Sequence, residues 1–114
     1  MALEHLRAAE PVNVLSGMPD AVAGKAVALF KGRDLEVVRI PLVAGAGLPM
    51  HHVPGEITIH CLYGHLQVHS DGNPAAQLRA GELIYLPGGI AHDLQALEDA
   101  VALVTIALDP FCDQ

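Results

Sequence analysis

The sequence predicts an all-β chain, an antiparallel sandwich or barrel, and three observations support that reading. Short apolar or alternating runs recur roughly every 8 to 12 residues, with Gly-, Pro- and Asp-containing turns between them. No segment sustains the 3.6-residue hydrophobic period of an amphipathic helix. With 114 residues, 52% of them hydrophobic and 17% charged, the chain can bury one core.

Taken in order, residues 1–11 read as a helical or irregular lead-in ending at Pro11, and Val12 to Leu15 as an edge strand before the turn cluster Ser16-Gly17-Met18-Pro19-Asp20. Lys25 to Phe30 and Leu35 to Val43 are strands joined by the turn Lys31-Gly32-Arg33-Asp34. In the second, Val38, Ile40 and Leu42 share one face and Val37 and Arg39 the other. After Ala44-Gly45-Ala46-Gly47, the stretch Leu48 to Val53 continues extended, restricted by Pro49 and Pro54. Ile57 to Tyr63 alternates, with Ile57, Ile59 and Cys61 against Thr58, His60 and Leu62. His65 to Ser70 alternates again, placing His65, Gln67 and His69 together as on an exposed face.

Asp71-Gly72 is the strongest hairpin signal in the chain. Ala75 to Arg79 leads into a short buried strand, Leu83 to Leu86, ended by Pro87-Gly88-Gly89 with one fixed φ and two permissive residues. Beyond that reversal His92, Leu94 and Ala96 share one face. A long apolar strand, Ala100 to Leu108, closes at Asp109-Pro110. The total is about nine or ten strands, divided as a lead-in and edge strand over 1–23, one β-barrel domain over 24–110 and a tail over 111–114.

A formal charge of −7, with only six scattered Lys and Arg, argues against a nucleic-acid surface. No apolar run approaches the roughly 20 residues that cross a bilayer. Met1 to Leu15 carries Glu4, His5, Arg7 and Glu10 and so lacks the apolar core of a secretory signal, which places the expected home in the cytoplasm. In that reducing setting Cys61 and Cys112 are expected as free thiols. An apolar strand around Cys61 raises a thiol pKa, the wrong direction for a nucleophile.

The stretch Gly81 to His92 fits G-x5-P-x-G-x2-H-x3-N with Gly81, Pro87, Gly89 and His92 in place and Ala96 at the final position. Upstream, Gly45, His51 and Gly64 fall at the separations of G-x5-H-x-H-x3-4-E-x6-G, with Val53 and Ile57 where the second histidine and the glutamate would stand. With His51-His52-Val53-Pro54-Gly55, the chain resembles the small single-domain members of the cupin superfamily over roughly residues 24–108. The resemblance implies a jelly roll, or double-stranded β-helix, whose two sheets enclose a pocket. It also implies a divalent metal there (Zn, Fe, Mn, Ni or Cu) and homodimers made through sheet edges.

His51 and His92 carry over from that pattern as metal ligands. Imidazole nitrogen suits such ions at roughly 2.0 to 2.2 Å. His52 joins them if the chain bends between Pro49 and Pro54, because neighbours on a straight strand face opposite ways. His60 joins only if a bulge at Pro54-Gly55 reverses the register, and Glu56 is otherwise a solvated turn carboxylate. The functional expectation is a metal-binding cupin whose pocket takes a small organic molecule, for dioxygenase, isomerase or lyase chemistry. The alternative is a non-catalytic binding or sensing module, metal-free or not, since no general base stands at a family position. Whether the chain is an enzyme stays open at this point.

Overall fold

A computed structural model describes residues 7–108. Nine strands follow one another: β1 Val27–Lys31, β2 Leu35–Leu42, β3 Gly47–His51, β4 Ile57–Tyr63, β5 His65–Ser70, β6 Ala76–Arg79, β7 Leu83–Leu86, β8 His92–Ala96 and β9 Ala100–Ala107. They form two antiparallel sheets, a five-stranded one in the order β1-β2-β9-β4-β7 and a four-stranded one in the order β3-β8-β5-β6. Apart from the hairpins β1-β2 and β5-β6, the chain changes sheet at every step, as a jelly roll requires.

The core lies between the layers and follows the period-2 patterning. Ile57, Ile59 and Cys61 on β4, Leu66 and Val68 on β5, Leu94 and Ala96 on β8 and Ala100, Ala102 and Val104 on β9 point inward and are buried. Ile40 and Leu42 of β2 join them, on the face that alternation assigns. At about 25 cal/mol per Å² of apolar surface, this interlayer core is the main source of stability.

The N-terminal segment differs from the expected edge strand at Val12–Leu15. It forms turns over residues 14–19 and a 3-10 helix at Asp20–Ala23. The reason is local: Asn13 Oδ1 accepts the Leu15 N–H at 3.0 Å, and the Asn13 carbonyl accepts from Ser16 N at 3.0 Å, a turn that competes with strand pairing. Arg39 then straps the turn down, its Nη1 donating to the carbonyls of Val14 at 3.1 Å and Ser16 at 2.9 Å. Val22 packs with Leu62 and Val101 into a second small core on the outer face of the five-stranded sheet, with Val14, Met18 and Leu103 around it. Of the apolar residues that looked like a strand, Val14 serves that patch, while Val12 and Leu15 are exposed.

β1 begins at Val27 rather than Lys25, and the lead-in before Gly81 contains a strand, β6. The 111–114 tail, Asp109-Pro110, Cys112 and the first six residues lie outside the described residues. Among the described residues no helix is long and apolar enough to cross a membrane.

Candidate functional site

His92 is the first residue of β8 and is 4% exposed. The Pro87-Gly88-Gly89 reversal delivers it there, with Gly89 at φ +79 and its N–H bonded to the Val53 carbonyl at 2.8 Å. Across the strand pair stands His51, the last residue of β3. Leu48 opposes Leu94 and His51 opposes His92, so three steps on β3 match two on β8. That extra residue is a bulge, and it returns His51 to the inward face that Leu48 occupies. The two imidazole rings meet with centroids 4.5 Å apart and planes tilted by 55°.

Both rings are oriented by backbone carbonyls. His51 Nδ1 lies 2.9 Å from the Pro49 carbonyl and His92 Nδ1 lies 3.1 Å from the Ile90 carbonyl. A carbonyl only accepts, so each Nδ1 carries the proton and, in the neutral ring, each Nε2 keeps its lone pair. This is the outer-shell arrangement that prepares an imidazole to ligate. Two imidazoles sharing one ion at about 2.1 Å and near a right angle would place their centroids about 5 Å apart, close to the separation here.

The other expected ligands are not brought to this pair. His52 is exposed, while Val53 after it packs on the core, so the alternation resumed by the bulge turns His52 outward. The bend that could have joined His51 and His52 lies before His51 instead. Ile57, 4% exposed, fills the family's glutamate position with a core side chain. Because Ile57, Ile59 and Cys61 point inward, Glu56 and His60 point out, and no register reversal occurs at Pro54-Gly55. Glu56 accepts a short hydrogen bond from the Tyr85 hydroxyl, which holds that phenol above its usual pKa. Glu56 lines an outer cleft with Leu35, Thr58 and Thr105, and His60 lines another with Val14, Leu15 and Leu62. Among the described residues no three His, Cys, Asp or Glu side chains converge.

His65 and His69 are engaged elsewhere, and His5 lies outside the described residues. His69 Nδ1 pairs with Asp93 Oδ1 at 2.9 Å, and Gln67 Nε2 approaches His69 Nε2 at 3.0 Å, on the outer face of the four-stranded sheet. His65, expected to be exposed with them, is 7% exposed and bonded to Gln77 Oε1 at 2.9 Å. Cys61 is fully buried, and burial, seconded by the charge of Glu82, pushes its thiol pKa up, so it is no nucleophile at neutral pH. An open cleft of about 590 Å³ at the Gly64 turn is lined by Tyr63, Leu97, Glu98 and Asp99 and by neither site histidine.

One neighbour of the pair escaped the sequence reading. Ser70, the last residue of β5, stands opposite His92 on the side away from His51 and is 8% exposed. Its signal was present as a polar residue ending the inward series Leu66, Val68, Ser70.

A family model described as the cupin domain matches residues 38–108. No curated protein matches the sequence. Among solved structures, a conserved protein of unknown function from Streptococcus pyogenes superposes with a TM-score of 0.77 at 21% identity, covering 96% of each chain. A cupin superfamily protein from Desulfitobacterium hafniense gives 0.77 at 15% identity over 96% of this chain and 100% of that one. The DMSP lyase DddQ from Ruegeria pomeroyi gives 0.68 at 24% identity, over 75% of this chain and 47% of that one. At these identities the likenesses establish the shared double-stranded β-helix and nothing finer.

Proposed function

We propose, since the chain belongs to the cupin domain family, that His51 and His92 form a two-histidine metal centre that holds a small organic ligand between the sheets. The observation that carries this reading is the pair of Nδ1–carbonyl hydrogen bonds, which leave both Nε2 lone pairs for one ion. The residues fit a divalent metal with two protein ligands, the remaining positions being left to water or to the small molecule. When bound, such an ion supplies Lewis acidity toward an oxygen of that molecule. The chain's own part is to bind and orient. The Pro49 and Ile90 carbonyls fix the tautomers, and the bulge before His51 sets the approach of the rings.

The test is metal retention. Protein prepared without an affinity tag and dialysed against Zn(II) or Co(II) is expected to keep about one equivalent per chain. With the ion at about 100 times its dissociation constant, the added stability is about 2.7 kcal/mol, on the order of 10 °C in Tm, and EDTA removes it. No retained metal and a Tm insensitive to EDTA would overturn the centre. That result would favour a second reading, a metal-free binding or sensing module, which is motivated by the lack of a third converging ligand among the described residues.

We also propose that two copies pair through the open edge of the five-stranded sheet. β7 ends that sheet, and it exposes Leu83 at 59% and Tyr85 at 55%. Unpaired strand edges with apolar side chains are sites of association. Sedimentation is expected to give twice the chain mass, and the charge-bearing variant Leu83→Glu to give the monomer; a wild-type monomer at about 100 µM would refute pairing.

A further inference from the structure

Three polar side chains are buried among the described residues: His65, Ser70 and His92. His65 is bonded to Gln77 away from the centre. Ser70 and His92 are direct cross-strand partners. Since β8 lies between β3 and β5, His92 has His51 on one side and Ser70 on the other, a row of three across three strands. Directly opposed residues put their side chains on one face with Cβ atoms about 4.5 to 5.5 Å apart.

The hydrogen-bond state of Ser70 is half complete. Its Oγ accepts from Asn73 Nδ2 at 3.2 Å, and the same amide reaches the Asp71 carbonyl at 3.3 Å, while the Asn73 N–H holds the Ser70 carbonyl at 3.1 Å. A hydroxyl has two lone pairs and one proton. Asn73 takes a lone pair, and the proton has no acceptor among the described residues. Buried polar groups are ordinarily satisfied, so a buried donor with its proton unspent, next to a prepared imidazole, is placed for an external acceptor.

We propose that Ser70 donates to an oxygen of the ligand held at His51 and His92, and that the ligand is a small carboxylate with an apolar tail. This inference rests on the two-histidine centre. The ligand's charge follows from what the chain withholds. Two neutral imidazoles leave the ion's double charge uncompensated, Glu56 is turned to the outer face, and Asp93 is spent on His69. A carboxylate offers one oxygen to the ion and a second to the Ser70 hydroxyl. A phosphate would call for cationic side chains, and no Lys or Arg is buried among the described residues. The inward faces next to the row are apolar: Leu94 and Val68 are buried in the interlayer core, and Val53, Leu48 and Ile90 pack against that core.

Butyrate is the probe, read by the visible absorption of Co(II)-loaded protein and by calorimetry. Ser70→Ala is expected to bind butyrate about tenfold more weakly at unchanged Co(II) affinity, the loss of one hydrogen bond to a charged acceptor. Ser70→Thr, which keeps a hydroxyl on a strand-favouring side chain, is expected to restore wild-type binding and guards against a folding defect in the alanine variant. Equal butyrate affinity in Ser70→Ala and wild type, with Co(II) bound in both, would overturn the proposal, as would butanol binding as tightly as butyrate. Failure of Co(II) to bind the wild type would instead bring down the two-histidine centre, and the Ser70 assignment with it.

Discussion

A Gly64→Ala variant is expected to lose about 2–5 kcal/mol of stability, a large share of the about 5–15 kcal/mol that a domain has in total. Gly64 links β4 to β5 at φ +84, a conformation that costs an L-residue about 1–2 kcal/mol. A Cβ there would also stand 2.0 Å from the Asp99 carbonyl oxygen and 2.8 Å from Ala100 Cα. These atoms are backbone at the start of β9 and cannot swing aside. Asp99 is further tied by its Oδ1, which accepts the Ala44 N–H at 2.8 Å. Relieving such an overlap in a packed region costs typically about 1–3 kcal/mol more. Gly72→Ala separates the two contributions, because Gly72 has φ +80 with nothing within 4 Å of a Cβ. It is expected to lose only the backbone part, about 1–2 kcal/mol. Urea melts of both variants decide the matter: losses equal within about 0.5 kcal/mol would mean the close approach at Gly64 does not exist.

His92→Ala is expected to weaken metal binding by at least about 100-fold, since one of two protein ligands disappears. It should also destabilise the fold without metal, by about 1–3 kcal/mol, because the ring is buried and the Ile90 carbonyl loses its donor. His51→Ala should match it in metal affinity and cost less stability, as His51 is exposed. His52→Ala and His60→Ala are the discriminating controls, expected to stay within about twofold of wild type. Calorimetric titration with Zn(II) across the four variants reads the site directly. A loss in His52→Ala as large as that in His92→Ala would show that His52, rather than His51, shares the ion with His92.

Much of the fold was legible because its determinants are local. Ile57, Ile59 and Cys61 announce their face by alternation, Asp71-Gly72 marks its hairpin, and Pro87-Gly88-Gly89 marks the reversal that delivers His92. Val12 to Leu15 misled because a local turn competes with strand pairing there, and Val14 packs on an outer patch whose other half, Leu62 and Val101, comes from distant strands. The carbonyls that Arg39 binds are likewise invisible in a local pattern. His65 looked exposed by its company with Gln67 and His69, yet Gln77 from the neighbouring strand engages it.

At the site, His51 and His92 could be named from the cupin motifs they match, but not the faces of His51 and His52, which depend on where a bulge falls. Ser70 was out of reach for a different reason. Its nearness to His92 follows from the order of strands in the sheet, which pairs β5 with β8 across a long stretch of chain.

The extra residue between Leu48 and His51 gives the gene itself a part in the site. A substitution at Pro49 or Met50 preserves the count of residues on β3, whereas loss of one codon there changes it by one and rotates His51 to the opposite face. Every histidine would survive in such a sequence, and an inventory of residues would find nothing missing. The centre is therefore written in reading length as much as in letters, and among descendants of this gene a single-codon deletion in that short interval is a way to lose it without touching a histidine.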